Sequence, residues 1–227
     1  MRKRPLFFAL LLPAALLSLG QAAGTRTFPL DSAEGLKNVN VLTEAATYQG
    51  RKAVRVVETP AGREKDAPTL VLVPGTEIED GIIEVEVAGK PGAGAPSDAR
   101  GFVGVVFRAT PDGSKHEGIY IRPTNGRADD QLRRNRSAQY FSYPEFPWHR
   151  LRKEAPGQYE SYVDLVPGEW TKLRIQVSGT TARLYVHGAE QPALIINDLK
   201  LGKSKGAVGL WVGQGTEGYF TNLRVSP

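Results

Sequence analysis

Between residues 39 and 225 the chain alternates apolar and polar positions in short runs, broken by turn residues. The run 81–87, GIIEVEV, sets Ile83, Val85 and Val87 on one side and Glu84 and Glu86 on the other. A period of two belongs to a strand with one face on a core and the other on water or a ligand. The same reading predicts strands over 39–47, 52–58, 69–73, 102–109, 117–122, 170–177, 183–186, 193–196, 207–212 and 219–225. Gly179, between two of these runs, predicts a hairpin. The stretch 91–99, PGAGAPSDA, has too many glycines and prolines for regular structure and predicts a loop. No segment carries a convincing helical period, and no repeat of fixed length recurs. Many short strands with close turns predict an all-β fold, one sandwich of two antiparallel sheets.

The alternation is mostly lost in one place, 125–162. There Arg127, Arg133, Arg134, Arg136, Arg150 and Arg152 are mixed with Tyr140, Phe141, Tyr143, Phe146, Trp148, Tyr159 and Tyr162. Connections this long in a compact domain are functional or disordered, and disordered segments are poor in aromatics. The stretch therefore reads as a long insertion laid over a sheet, forming one wall of a binding site.

Composition narrows the setting. Arg2, Lys3 and Arg4 precede an apolar run over 6–19 and small residues at Gly20, Ala22 and Ala23. That is the layout of a secretory signal peptide, residues 1–23, ahead of a single domain, 24–227. The apolar run is shorter than the roughly 20 residues of a spanning helix, so no membrane span is expected after cleavage. The expected address is periplasmic or secreted. There is no cysteine, and the only methionine is Met1, which removes disulfides, thiolate metal sites and cysteine nucleophiles together. Of 29 basic residues three lie in the leader, leaving 26 against 24 acidic ones. So small a surplus speaks against a nucleic-acid partner, whereas the arginines clustered between 122 and 152 suit an anionic small molecule.

Several side chains are candidates for chemistry. By parity Arg108, Tyr120 and Arg122 point away from the apolar faces of their strands, and they meet on one surface if those strands are neighbours. Guanidinium forks match carboxylate or vicinal hydroxyl oxygens, and Asn125 and Gln139 offer amide contacts nearby. Ordinary surface ion pairing is the alternative for the arginines. Trp148, in FPWHR, fits either of two roles, a stacking platform for a sugar ring or a pin holding the insertion down. Trp170 and Trp211 sit in strand patterns and are expected to pack on core or sheet. Glu84 and Glu86 share a strand face about 7 Å apart, a separation inverting glycoside hydrolysis can use. With His116 they are the catalytic candidates, against the plainer reading of a solvated acidic face. His116, His149 and His187 form no zinc motif, and Asp129-Asp130 lack the full pattern of a calcium loop. No cofactor is expected, calcium being the only ion for which oxygen ligands are in view.

Two C-terminal stretches carry a resemblance. EWTKLRIQVSGTTARLYVHG (169–188) and GAVGLWVGQGTEGYFTNLRV (206–225) resemble strands of the concanavalin A-like lectin/glucanase jelly rolls, laminin-G-like domains included. GFVGVVFR (101–108) and GIYIRP (118–123) are similar to central strands of exported bacterial members, some grouped with 3-keto-disaccharide hydrolases. The resemblance implies a concanavalin A-like jelly-roll sandwich that holds a carbohydrate or sugar-derived ligand on its concave sheet. It also leaves room for a glycoside hydrolase or for a laminin-G-like module that binds protein. The glucanase strand E-x-D-x-E has no counterpart here; Glu84-Val85-Glu86 lacks the central aspartate and the third carboxylate.

Overall fold

The computed structural model describes residues 24–64 and 66–227, so the expected signal peptide, 1–23, lies outside the described residues. Among the described residues fifteen strands are seen. They are β1 (Arg26–Phe28), β2 (Lys37–Val39), β3 (Val41–Tyr48), β4 (Arg51–Glu58), β5 (Leu70–Ile78), β6 (Gly81–Pro91), β7 (Val103–Ala109) and β8 (His116–Ile121). They continue with β9 (Ala138–Tyr143), β10 (Glu160–Ser161), β11 (Thr171–Ser178), β12 (Thr181–Val186), β13 (Leu194–Ile196), β14 (Gly206–Val212) and β15 (Thr216–Ser226). Two short helices, α1 (Gln131–Arg134) and α2 (Trp148–Glu154), correct the expectation of none.

The strands form two open antiparallel sheets. The eight-stranded sheet runs β13-β12-β11-β6-β15-β4-β3, with β1 also on β15; the seven-stranded sheet runs β10-β9-β8-β7-β14-β5-β2. Between them lies the core that the alternation foretold. Ile83, Val85 and Val87 of β6 and Leu173, Ile175 and Val177 of β11 meet Val103, Val105 and Phe107 of β7 and Val208, Leu210 and Val212 of β14. Each buried side chain of this kind contributes about 1.5–3 kcal/mol relative to exposure. The hairpin at Gly179 is present, with Ser178 opposite Thr181.

The insertion does not merely lie over the sheet. It adds β9 and β10 to its edge, with Tyr120 opposite Gln139 and Ile119 opposite Tyr140. The strand β9 is hard to see in sequence because two of its inward residues, Tyr140 and Ser142, are polar, while Phe141 faces outward. Tyr140 donates from its hydroxyl to the buried Glu117 carboxylate at 2.6 Å, and the Leu201 amide donates to the other oxygen at 2.7 Å. Burial pushes the Glu117 carboxyl up.

A β-bulge separates two arginines expected together. Val106 pairs with Gly209, but Ala109 pairs with Ala207, so β7 holds one residue more than β14. Arg108 adopts φ 54° there and its side chain leaves the sheet's outer face. It is buried and donates to the carbonyls of Glu79 (2.9 Å), Gly202 (2.6 Å) and Gly179 (2.7 Å) and to Asp80 (3.2 Å). Arg108 therefore ties together turns at one end of the sandwich.

Candidate functional site

A cleft of about 510 Å³ opens on the outer face of the seven-stranded sheet. Its floor follows from strand parity: His116, Gly118, Tyr120 and then Arg122 face outward along β8, while Ile119 and Ile121 face the core. Beside them lie Phe141 of β9, Trp211 of β14 and Phe102 just before β7. The Tyr120 ring centre is 4.6 Å from Trp211, 5.7 Å from Phe141 and 6.2 Å from Phe102. Gly118 makes room for this arrangement, since a Cβ there would stand 2.2 Å from Phe141 Cε1. From His116 to Arg122 the floor spans roughly 20 Å at the usual rise of a strand.

At one end stands Arg122, buried, with Nη2 donating to the Tyr120 hydroxyl at 2.6 Å and to Gln139 Oε1 at 3.2 Å. Its Nη1 donates to the Arg136 carbonyl at 2.9 Å. Burial works against both groups, lowering the Arg122 pKa and raising that of Tyr120. An arginine stays charged regardless, so the site holds a fixed cation under an aromatic cover. Glu160, behind the wall, answers three guanidiniums: Arg152 Nε at 2.9 Å, Arg136 Nε at 3.6 Å and Arg122 Nη1 at 3.9 Å.

The insertion supplies the wall. Helix α2 begins after Pro147 and is anchored by Leu151, which is buried, so Trp148, His149 and Arg152 border the cleft. Trp148 is 42% exposed, too open for a pin, and Arg152 lies 4.5 Å over its ring. Leu151 does the pinning, with Phe146 packed on the core cluster. His149 Nε2 meets the Asp66 carboxylate at 3.3 Å, joining α2 to the loop before β5.

At the far end His116 is buried and stacked on Tyr143, ring centres 5.1 Å apart. Its Nδ1 lies 3.0 Å from the Gly113 carbonyl, which can only accept, so Nδ1 carries the hydrogen. Nε2 is then a lone-pair acceptor, buried without a partner among the described residues. Burial lowers the His116 pKa to about 4, which keeps the ring neutral at pH 7.

The cleft thus brings together Tyr120, Arg122, Asn125, Trp148 and His116. Gln139 sits just behind, holding Arg122, and also donates to the carbonyls of Tyr140 and Tyr159. Arg108 is elsewhere, for the reason given by the bulge. Glu84 and Glu86 are on the opposite sheet, paired with Lys172 at 3.1 Å and Arg51 at 2.5 Å. Arg51 also holds the Glu86 carboxyl below its ordinary pKa. Glu84 borders a smaller hollow of about 230 Å³ there, with Lys172, Arg174 and Tyr185. They form no shared catalytic pair with His116. Asp130 caps α1 by accepting from the Arg133 amide at 2.9 Å. Among the described residues no group of three or more His, Asp or Glu side chains is arranged to hold a metal ion.

Sequence reasoning passed over Trp211 and Arg100. The alternation Ala207, Gly209, Trp211 against Val208, Leu210, Val212 already placed the tryptophan outward. Arg100 lies in an irregular loop, where parity says nothing.

No protein-family model and no curated protein matches the chain. Solved structures do. A carbohydrate-binding module, CBM66, from Bacillus subtilis superposes with a TM-score of 0.56 at 15% identity, covering 85% of this chain and 96% of that one. A Bacillus subtilis protein of unknown function with a galectin-like fold gives 0.56 at 12% identity, over 91% and 97% of the two chains. The β-glucanase of Bacillus licheniformis gives 0.51 at 14% identity, over 91% and 100%. The chain has the concanavalin A-like jelly-roll fold. At these identities the likeness to other jelly rolls describes architecture, and function rests on this chain's own residues.

Proposed function

We propose that this jelly roll binds a carbohydrate or sugar-derived ligand in the cleft on its seven-stranded sheet. One observation carries the reading: the ring cluster of Phe102, Tyr120, Phe141 and Trp211 is continuous with Arg122 and faces Trp148 across one cleft. The volume falls in the range of small-molecule sites, which are largely apolar with a few placed polar groups. The partly exposed rings of Phe102, Trp148 and Trp211 suit the apolar C–H faces of a pyranose, and Asn125 and Arg122 at the end of the cleft offer donors to its hydroxyls. The names of two fold neighbours, a carbohydrate-binding module and a β-glucanase, are in keeping with this. The reading includes export by the leader and action in the periplasm or outside the cell. Among the described residues no helix is long and apolar enough to cross a membrane.

A glycan array followed by calorimetry on the identified glycan tests the proposal. Trp148→Ala, at an exposed position, is expected to weaken binding about tenfold, at the upper end of the ~0.5–1.5 kcal/mol of an aromatic contact. Full affinity in that variant and in Trp211→Ala would place the ligand elsewhere.

A further inference from the structure

The charges lining the cleft do not balance, and the imbalance is concentrated at the Arg122 end. Glu160 is shared by Arg122, Arg136 and Arg152, as described, while Asp66 is engaged with His149. Two further guanidiniums border the same space, Arg100 from the loop before β7 and Arg133 from α1. Neither has a carboxylate within ion-pair distance among the described residues. Arg100 donates from Nη1 to the carbonyls of Ser97 (2.8 Å) and Ala99 (3.0 Å). Arg133 makes two long contacts, to Asn125 Oδ1 and the Thr124 carbonyl, both 3.4 Å. Asp98 and Glu64 also line the cleft, so that Glu64, Asp66 and Asp98 face the five guanidiniums of Arg100, Arg122, Arg133, Arg136 and Arg152. Asp98 offsets the charge of Arg100 only in part.

The two cations are held close. Asp130 fixes Arg133 on the first turn of α1, and the Thr124 amide donates to the Arg100 carbonyl at 3.3 Å, tying the two loops together. Burial and the neighbouring Arg133 both depress the pKa of Arg100. Like charges left side by side without a counter-ion are unfavourable unless a ligand supplies one. The spare donors are suited to do so: guanidinium forks bind oxyanions in a planar, paired manner.

Resting on the carbohydrate reading above, we infer that the cleft selects acidic saccharides, with Arg100 and Arg133 holding an oxyanion substituent at the Arg122 end. The sugar ring lies on the partly exposed Phe102, which adjoins this end, and the chain of the saccharide runs over the floor that β8 supports toward the His116 end. A uronate carboxylate and a sulfate ester present the same chemistry to the two forks.

The experiment is binding to immobilised uronate-containing, sulfated and neutral oligosaccharides, followed by calorimetry. An oligogalacturonate and its methyl-esterified counterpart of equal length are included as a matched pair. The expected result is binding confined to acidic glycans, weakened at least tenfold by Arg133→Gln and by Arg100→Gln. Arg133→Lys is expected to restore part of the loss, and unchanged thermal unfolding excludes misfolding. Loss of binding on methyl esterification assigns a carboxylate; binding to sulfated glycans alone assigns a sulfate ester. Preference for neutral glycans, or full affinity in both glutamine variants, would overturn the inference and leave the carbohydrate reading standing. No binding to any glycan would overturn both.

Discussion

The outer faces of the two sheets carry similar residues and use them in opposite ways. On the eight-stranded sheet Arg55 meets Glu44 at 2.7 Å and Glu217 at 2.8 Å, and Lys90 meets Glu217 at 3.4 Å. Glu84 and Glu86 have their own partners, and Tyr48 stacks on Tyr219 at 3.9 Å. There every one of these carboxylates has a cation, and Tyr48 and Tyr219 cover one another. Arg174, which has no carboxylate partner among the described residues, lies 3.8 Å over the Tyr185 ring. On the seven-stranded sheet the rings line a hollow, and arginines outnumber the carboxylates that answer them. The contrast teaches that residue type says little about a site; what matters is whether each group is already satisfied by its neighbours.

The largest effect expected concerns the arginine that serves structure alone. Arg108→Met should lower stability by about 3–5 kcal/mol, because three carbonyls and Asp80 lose a buried donor. Urea unfolding measures this, and glycan affinity of the folded variant should stay unchanged. A weakened affinity instead would mean that Arg108 does reach the ligand.

His116 sharpens the comparison through pH. Its folded-state pKa, about 4, lies below the ordinary value of 6.5, so the unfolded chain binds the proton more readily. Stability is then complete above pH 6.5 and falls as pH drops toward 4, by on the order of 3 kcal/mol. Glu117, whose pKa is raised, slopes the other way from about pH 4.5 upward. Comparing the wild type with His116→Phe across this range cancels the Glu117 contribution, and the variant should show the flatter acid limb. Equal slopes in both proteins would show that His116 takes up its proton as readily in the fold as in the unfolded chain.

Trp148→Ala comes next, with its tenfold loss of glycan affinity and a change in stability within about 1 kcal/mol, as befits an exposed side chain. Smallest of all is Glu86→Gln on the opposite face. Exposed ion pairs contribute about 0–1 kcal/mol, and no change in glycan binding or turnover is expected. Loss of a sugar-cleaving activity in that variant would revive the catalytic reading of the acidic strand.

How much of this could be read beforehand differed by region. Wherever one side of a strand is apolar, as in β6 or β11, alternation located it and even chose its inward residues. It failed at β9, whose inner face is polar because it answers a buried glutamate from the neighbouring strand. Parity placed Tyr120 and Arg122 outward, but it misassigned Arg108, since the extra residue in β7 is visible only beside β14. Trp211, expected on core or sheet, lies on the outer face beside Tyr120. Trp148 and Arg133 depend on helix starts, one after Pro147 and one capped by Asp130, that are too short for a periodic signal. Arg100 had no signal at all.

What Gly118 contributes is an absent atom. The hollow owes its depth to backbone lying bare beneath the Phe141 ring, with a Cβ at that point only 2.2 Å from Cε1 and 2.4 Å from Cζ. One added carbon would lift the ring into the cleft while leaving each arginine in place. In the proposed saccharide site, capacity and selectivity are set by separate residues, and each can be altered without touching the other.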